Sequence, residues 1–365
     1  MLELRARAQR LLSVKGARST PAAILHDVCG LQAQVLSAAA LGLRARSTGL
    51  RLRDVERAIN QERSIVRSWL MRGTLHLVAS DDLRWMLGVL GPAFAAGNQA
   101  RHAQLGLDAD TKARGVTAIR RILSRSGPLT RYEIVDRVRG IGLSLDPRTQ
   151  APIHLIQLAA LRGILCLGPD REGGEPTYLL LDDWIDTKLS KSPKDPLAEL
   201  ARRYIAAFGP ATLEDLVAWS GLPVAQARSA LRAAQPSLAE VTIDGRPAFL
   251  LKSRAHGRVE RPSPPGVRLL PAFDTYLLGY RSRDLTVPRR LQQRLQRGGG
   301  WLHPAVVVNG RAVAAWSLKK SGHRGEVHVE AIEPLTAAVR RGIETEVADI
   351  SRFLEIPLIS SVAAQ

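Results

Sequence analysis

The chain has 365 residues, enough for two or three domains at roughly 150 residues each and for a sizeable core. Its 52 Lys and Arg outnumber its 34 Asp and Glu, giving a net charge of +18, and only eight of the bases are Lys. A hydrophobic share of 45 % excludes wholesale disorder, and no apolar run reaches the ~18 residues of a membrane span. The opening Met1-Leu2-Glu3-Leu4-Arg5-Ala6-Arg7 lacks the apolar stretch of a secretion signal. Two cysteines, Cys29 and Cys166, cannot make a disulfide scaffold or a CxxC pair. These features predict a soluble, cytoplasmic, nucleoid-associated protein with a polyanionic partner, since the planar fork of Arg grips two phosphate oxygens at once.

Leu2 to Leu12 has helical spacing, and Thr20-Pro21 is a cap followed by proline at the first helical position. Cys29-Gly30 turns the chain, and Gln32 to Arg44 reads as a third helix. A further helix, Leu52 to Asn60, precedes two strands, Ser64 to Leu70 and Thr74 to Val78, joined at Arg72-Gly73. The middle of the chain repeats the plan more clearly. Thr111 to Ser124 is helical, and Thr130 with Glu133 forms a capping box that opens a second helix ending near Gly140. A third helix covers Ala151 to Leu161, and short strands follow at Ile164 to Leu167 and Tyr178 to Leu181.

Helix, helix–turn–helix, then hairpin is the plan of a winged helix. It recurs at Leu197 to Ala207, where Gly209-Pro210-Ala211-Thr212 repeats the Gly127 turn 82 positions later. Thr212 caps a helix with Glu214 and Asp215 in its first turn, Gly221 ends it, and Pro223 opens the next. The wing is Leu238 to Leu251, turned at Asp244-Gly245. His256 to Gly266 reads as a linker. Beyond it lie strands at Val267 to Tyr280 and Glu326 to Ile332, a hairpin at Ala305 to Trp316 around Asn309-Gly310, and a closing helix at Leu335 to Leu354. The fold class expected is α+β, with winged helices at 1–100, 101–190 and 191–254 and a β-rich scaffold at 255–365.

No phosphate-binding GxxxxGK[ST] loop, GxSxG elbow or HExxH pair is present, and the eight histidines are scattered. No metal or cofactor is expected, which leaves metal-free chemistry or simple binding. Gln32-Ala33-Gln34 stands out by location alone. In mid-helix, residues two apart diverge, and one Gln would simply be solvated. Just after the Gly30 turn, where the chain is entering the third helix, the two amides can converge, on the helix that winged helices present to DNA. Arg72 and His76 flank the first wing and are candidate DNA contacts, with core or surface placement the plain alternative. Asn309, Gly310 and Arg311 form a tip suited to the minor groove, where Arg is favoured, or an ordinary surface hairpin. Asp274 reads as a scaffold hydrogen-bonding group and Trp316 as core.

Gly30-Leu31-Gln32-Ala33-Gln34, Met71-Arg72-Gly73-Thr74-Leu75-His76-Leu77-Val78, Leu269 to Tyr280 and Asn309 to Trp316 together resemble the tandem winged-helix DNA glycosylases. The similarity is to the AlkZ-like branch, marked by Gln-apolar-Gln; the AlkX branch carries Asp as its second polar residue. The resemblance implies three winged helices around a β scaffold with a concave, basic DNA-binding face. It implies excision of N7-alkylated purines from duplex DNA, unhooking of interstrand crosslinks, and self-protection in producers of DNA-alkylating natural products. Gln32 and Gln34 are then the catalytic pair, and the enzyme works as a monomer without cofactor or membrane. Amide chemistry agrees with this. An N7-alkylated guanine is cationic and already a good leaving group, so an amide carbonyl that orients water suffices. Neither Gln can form the Schiff base of a lyase. The rival expectation is a winged-helix transcription regulator, which prefers one operator and catalyses nothing.

Overall fold

The computed structural model describes residues 1–12, 20–143, 145–186, 192–243, 245–255, 265–296, 298 and 300–364. The chain divides into two compact units, one made of Met1–Glu56 with Leu197–Gln365 and the other of Arg57–Pro196. Asp244 and most of the His256 to Gly266 stretch lie outside the described residues.

In the second unit the helices Ala109–Ser126, Arg131–Gly140 and Ala151–Leu161 match the sequence reading to within two residues at each end. The Thr130–Glu133 capping box is formed in both directions. Antiparallel strands run in the order Leu75–Ala79, Ile65–Trp69, Leu165–Leu167, Thr177–Leu180 and Leu129–Thr130, so both wings belong to one sheet. Ile119, Leu123, Ile134, Leu155 and Leu165 fill the space between helices and sheet. An 18-residue helix, Ser80–Gly97, packs against this core, and Gly91 lets it meet the backbone of Leu161 directly.

The first unit holds two further helix groups, Leu2–Ala8 with Pro21–Val28 and Leu36–Arg44, and Pro196–Phe208 with Leu213–Ser220, Val224–Ala234 and the hairpin Leu238–Ile243/Arg246–Leu251. Thr212 and Asp215 form a second full capping box. Five strands make the scaffold sheet, in the order Leu358–Ala364, Arg324–Ala331, Arg311–Ser321, Ala305–Val308 and Val267–Leu270. The helix Ala337–Leu354 lays Ile343, Val347 and Ile350 against it. Two sequence expectations are corrected here. Val267 to Tyr280 is not one strand: it stops at Leu270, and Asp274 caps a helical turn, Thr275–Leu278, by accepting the Tyr276 N–H. The strand Leu358–Ala364 was not anticipated, and it pairs in parallel with Arg324–Ala331. Trp316 is core as expected, donating from its indole to the Leu270 carbonyl at 2.8 Å.

Candidate active site and nucleic-acid interface

The Gln32–Gln34 segment is shaped by what ends the helix before it. Thr20 caps Pro21–Val28 by accepting the Ala23 N–H, and the helix stops where Cys29 enters the left-handed region at φ 57. Gly30 follows at φ 86. The chain then forms the short strand Leu31–Gln32 and bends at Gln34 and Val35, the latter at φ −118 and ψ 112. The next helix begins only at Leu36 and ends at Arg44, so the expected helix from Gln32 is corrected by four residues. A β-branched Val in extended backbone holds the start back. Gln32 is buried at 8 % exposure while Gln34 is exposed, so one amide is held inside and the other reaches the surface.

The helix after the pair is fastened by two arginines that sequence reasoning did not single out. Arg44, 1 % exposed, donates to Glu346 at 3.0 Å, to Asp349 at 3.1 Å and to the Leu269 carbonyl at 2.9 Å. Arg46 forks onto both oxygens of Asp274 at 2.8 Å and donates to Gln9 Oε1 at 3.1 Å. Gln9 in turn donates to the Ala207 carbonyl. Helix, scaffold and the first residues of the chain are thereby locked together within one unit. In a chain with 44 Arg, nothing local marks these two.

In the other unit, Arg72 is half-buried at φ 58 within a short 3-10 turn, Met71–Gly73. His76 is fully buried in Leu75–Ala79, directly opposite Ser68, which is the core placement given above as the alternative to a DNA contact. A carbonyl can only accept, so the 3.0 Å contact of His76 Nδ1 with the Thr74 oxygen puts the proton on Nδ1. Nε2 has no hydrogen-bond partner among the described residues. Burial, then the Arg72 charge, pushes the imidazole down to about 3. The unfolded chain takes up that proton near pH 6.5 and the folded protein near pH 3. Stability should therefore fall as pH drops through this window, by up to about 1.4 kcal/mol per pH unit from this group. Urea midpoints measured at pH 7 and 5 check this, and His76→Gln should flatten the difference.

The Asn309-Gly310 turn is present, with both residues at positive φ and Val308 opposite Arg311. It is not a free tip. Asn309 exchanges hydrogen bonds with Gly266, and the buried Gly310 carbonyl accepts from Tyr276 Oη at 2.7 Å. A Cβ on Gly310 would lie 2.8 Å from that hydroxyl and 2.9 Å from the Leu2 carbonyl. Only Arg311 is exposed. The hairpin that does project joins Arg311–Ser321 to Arg324–Ala331 and exposes Lys319, Lys320, His323 and Arg324 around Gly322. The Ser321-Gly322 turn signal between basic residues was readable in the sequence.

Tandem winged-helix elements, a strong excess of Arg and an amide pair on a rigidly anchored segment fit the enzymes that act on DNA bases. The sequence matches the family described as DNA glycosylase AlkZ-like over residues 25–353. The interstrand DNA cross-link repair glycosylase of Streptomyces sahachiroi is 29 % identical over 318 residues, covering 82 % of this chain and 83 % of that one. The solved structure of Streptomyces sahachiroi DNA glycosylase AlkZ superposes with a TM-score of 0.83 at 25 % identity, covering 99 % of this chain and 98 % of the other. The protein is thus a DNA glycosylase, a hydrolase of N-glycosidic bonds, and not a regulator without catalysis. It belongs to the AlkZ-like family.

Proposed function

We propose that the protein excises N7-alkylated purines from duplex DNA, bulky adducts and interstrand crosslinks among them, with Gln32 and Gln34 placing the attacking water. The observation that carries this reading is the pair's position: one amide buried, the other exposed, on a short strand and the bend after it, just ahead of a helix fixed by Arg44 and Arg46. Such a site needs no strong base, because the cationic purine supplies the leaving-group drive and amide dipoles favour the positive charge growing on the sugar. The relative named for cross-link repair supports the crosslink part. Self-resistance to a DNA-alkylating natural product is the setting such chemistry suits. The winged-helix segments 1–100, 101–190 and 191–254 are the modules that meet the duplex, and the enzyme works as a monomer. Incubation with randomly N7-alkylated duplex, followed by chromatography of released base, tests the reading; intact adducts after long incubation at excess enzyme would reject it.

Binding follows from charge. Each phosphate neutralised by Lys or Arg releases counterions, so affinity should fall steeply between 50 and 200 mM salt. Lys319→Ala, Lys320→Ala and Arg324→Ala together remove three exposed cations from the projecting hairpin. If all three meet phosphate, the log–log salt slope should become shallower by about 2–3. A titration series by fluorescence anisotropy measures it, and an unchanged slope removes this hairpin from the interface.

A further inference from the structure

We propose that Gly42, with the Arg46–Asp274 pair beside it, is a positioning element for the reaction: together they form the bed on which Leu31 rests, and so fix the Gln32 amide. The inference rests on the reading of Gln32 and Gln34 as the water-placing pair.

Gly42 lies inside the helix Leu36–Arg44, where Ala is the preferred small residue by intrinsic propensity. Its φ is not among the positive ones, so conformational freedom does not explain the glycine. Space does. A Cβ there would sit 3.3 Å from Leu31 Cδ1, 3.7 Å from Asp274 Oδ2 and 3.8 Å from Arg46 Nη1. On one side the site is closed by a fully buried ion pair whose fork is fixed at 2.8 Å, and Arg46 also donates to the Gly42 carbonyl at 3.1 Å. Neither charged partner can retreat without breaking that pairing. The yielding neighbour is Leu31, 2 % exposed and one peptide bond from Gln32. Close-packed interiors pass small displacements on instead of absorbing them. A methyl at position 42 therefore moves the Gln32 segment by a few tenths of an ångström while adding helix propensity. A 1 Å misplacement can cost 10²-fold in rate, so about a tenfold loss is expected here.

Single-turnover excision of an N7-methylguanine duplex at saturating enzyme tests this, with duplex Kd and thermal midpoint measured on the same samples. Gly42→Ala should slow excision about tenfold with Kd and midpoint close to the parent values. Adding Leu31→Val, which trims the crowded side chain, should recover most of the rate. Leu31→Val alone covers the case of a poorly folded Gly42→Ala: it leaves Gly42 in place and removes the δ-methyl that faces it, and by loosening the bed it should slow excision severalfold. A merely structural glycine would move the midpoint and leave the saturating rate alone. Parent-like rates for both single variants overturn the proposal, as does a slow Gly42→Ala that Leu31→Val fails to rescue. Gln32→Ala run in parallel separates the two readings. Parent-rate excision by that variant removes the water-placing pair itself, whereas a slow Gln32→Ala beside fast Gly42→Ala and Leu31→Val removes only the bed.

Discussion

Replacing Asp274 by Ala should cost about 3–5 kcal/mol of stability, because it strands Arg46 as an unpaired buried charge. Both side chains are inaccessible to solvent, so no water compensates the guanidinium once its partner is gone. The same carboxylate accepts the Tyr276 N–H at the start of the Thr275–Leu278 turn, and that cap is lost as well. Arg46→Met should be damaging to a similar degree, since it strands the carboxylate instead. The double variant Arg46→Met with Asp274→Leu should recover most of the loss, because apolar residues of similar volume often replace a buried pair at little cost. Urea denaturation of the four proteins, read at constant m, gives the comparison. A loss below about 1 kcal/mol for Asp274→Ala would mean that Arg46 finds solvent or another partner. The geometry also bears on chemistry. With both oxygens engaged and the side chain sealed from solvent, Asp274 is a fastening and not a general base.

Much of this fold was legible from local signals. The Thr130–Glu133 capping box, the Thr212 cap, a proline at a first helical position and turns at Gly127 and Gly221 are set by neighbours three or four residues away, and these elements appear where the sequence put them. Elements decided by distant partners were misread. Phe273 to Tyr280 has the apolar, aromatic look of a strand, yet Asp274 turns it into a helix start, and its own place is fixed by an Arg 228 positions away. Leu358–Ala364 becomes a strand because Arg324–Ala331 offers it an edge, which no local pattern announces.

The candidate site was legible to a different depth. Gln32-Ala33-Gln34 was found through its place after a turn and through family likeness, not through its composition. Its support was invisible: Arg44, Arg46, Glu346 and Gly42 are ordinary residues until the chain brings them together. His76 and Gly310 show the opposite limit. Each lies in a motif that suggests DNA contact, and each is buried, His76 by the strand pairing of its wing and Gly310 by Tyr276 and Leu2. A motif points to a residue in the sequence; burial decides whether that residue can touch a ligand.

Gln32→Ala and Gln34→Ala should each slow single-turnover excision of N7-alkylguanine by roughly 10²-fold, or about 2.7 kcal/mol of barrier, as for other preorganised polar groups. Binding of the lesion duplex should change little, because neither amide carries charge for phosphate. The pH profile distinguishes this mechanism from one with a carboxylate base. Amides do not titrate, so the parent rate should show no acidic limb near pH 4 to 6. Gln34→Asp should introduce one. Gln34 is exposed, so a carboxyl at that position is expected to titrate near the ordinary value of about 4. Acid destabilisation through His76 falls in the same range and must be separated from chemistry. Circular dichroism on each sample restricts the comparison to pH values at which the protein is folded. An acidic limb in the folded parent, with duplex binding constant, would point to a carboxylate other than the sealed Asp274. Parent-rate excision by the Gln32→Ala/Gln34→Ala double variant would end the amide mechanism outright.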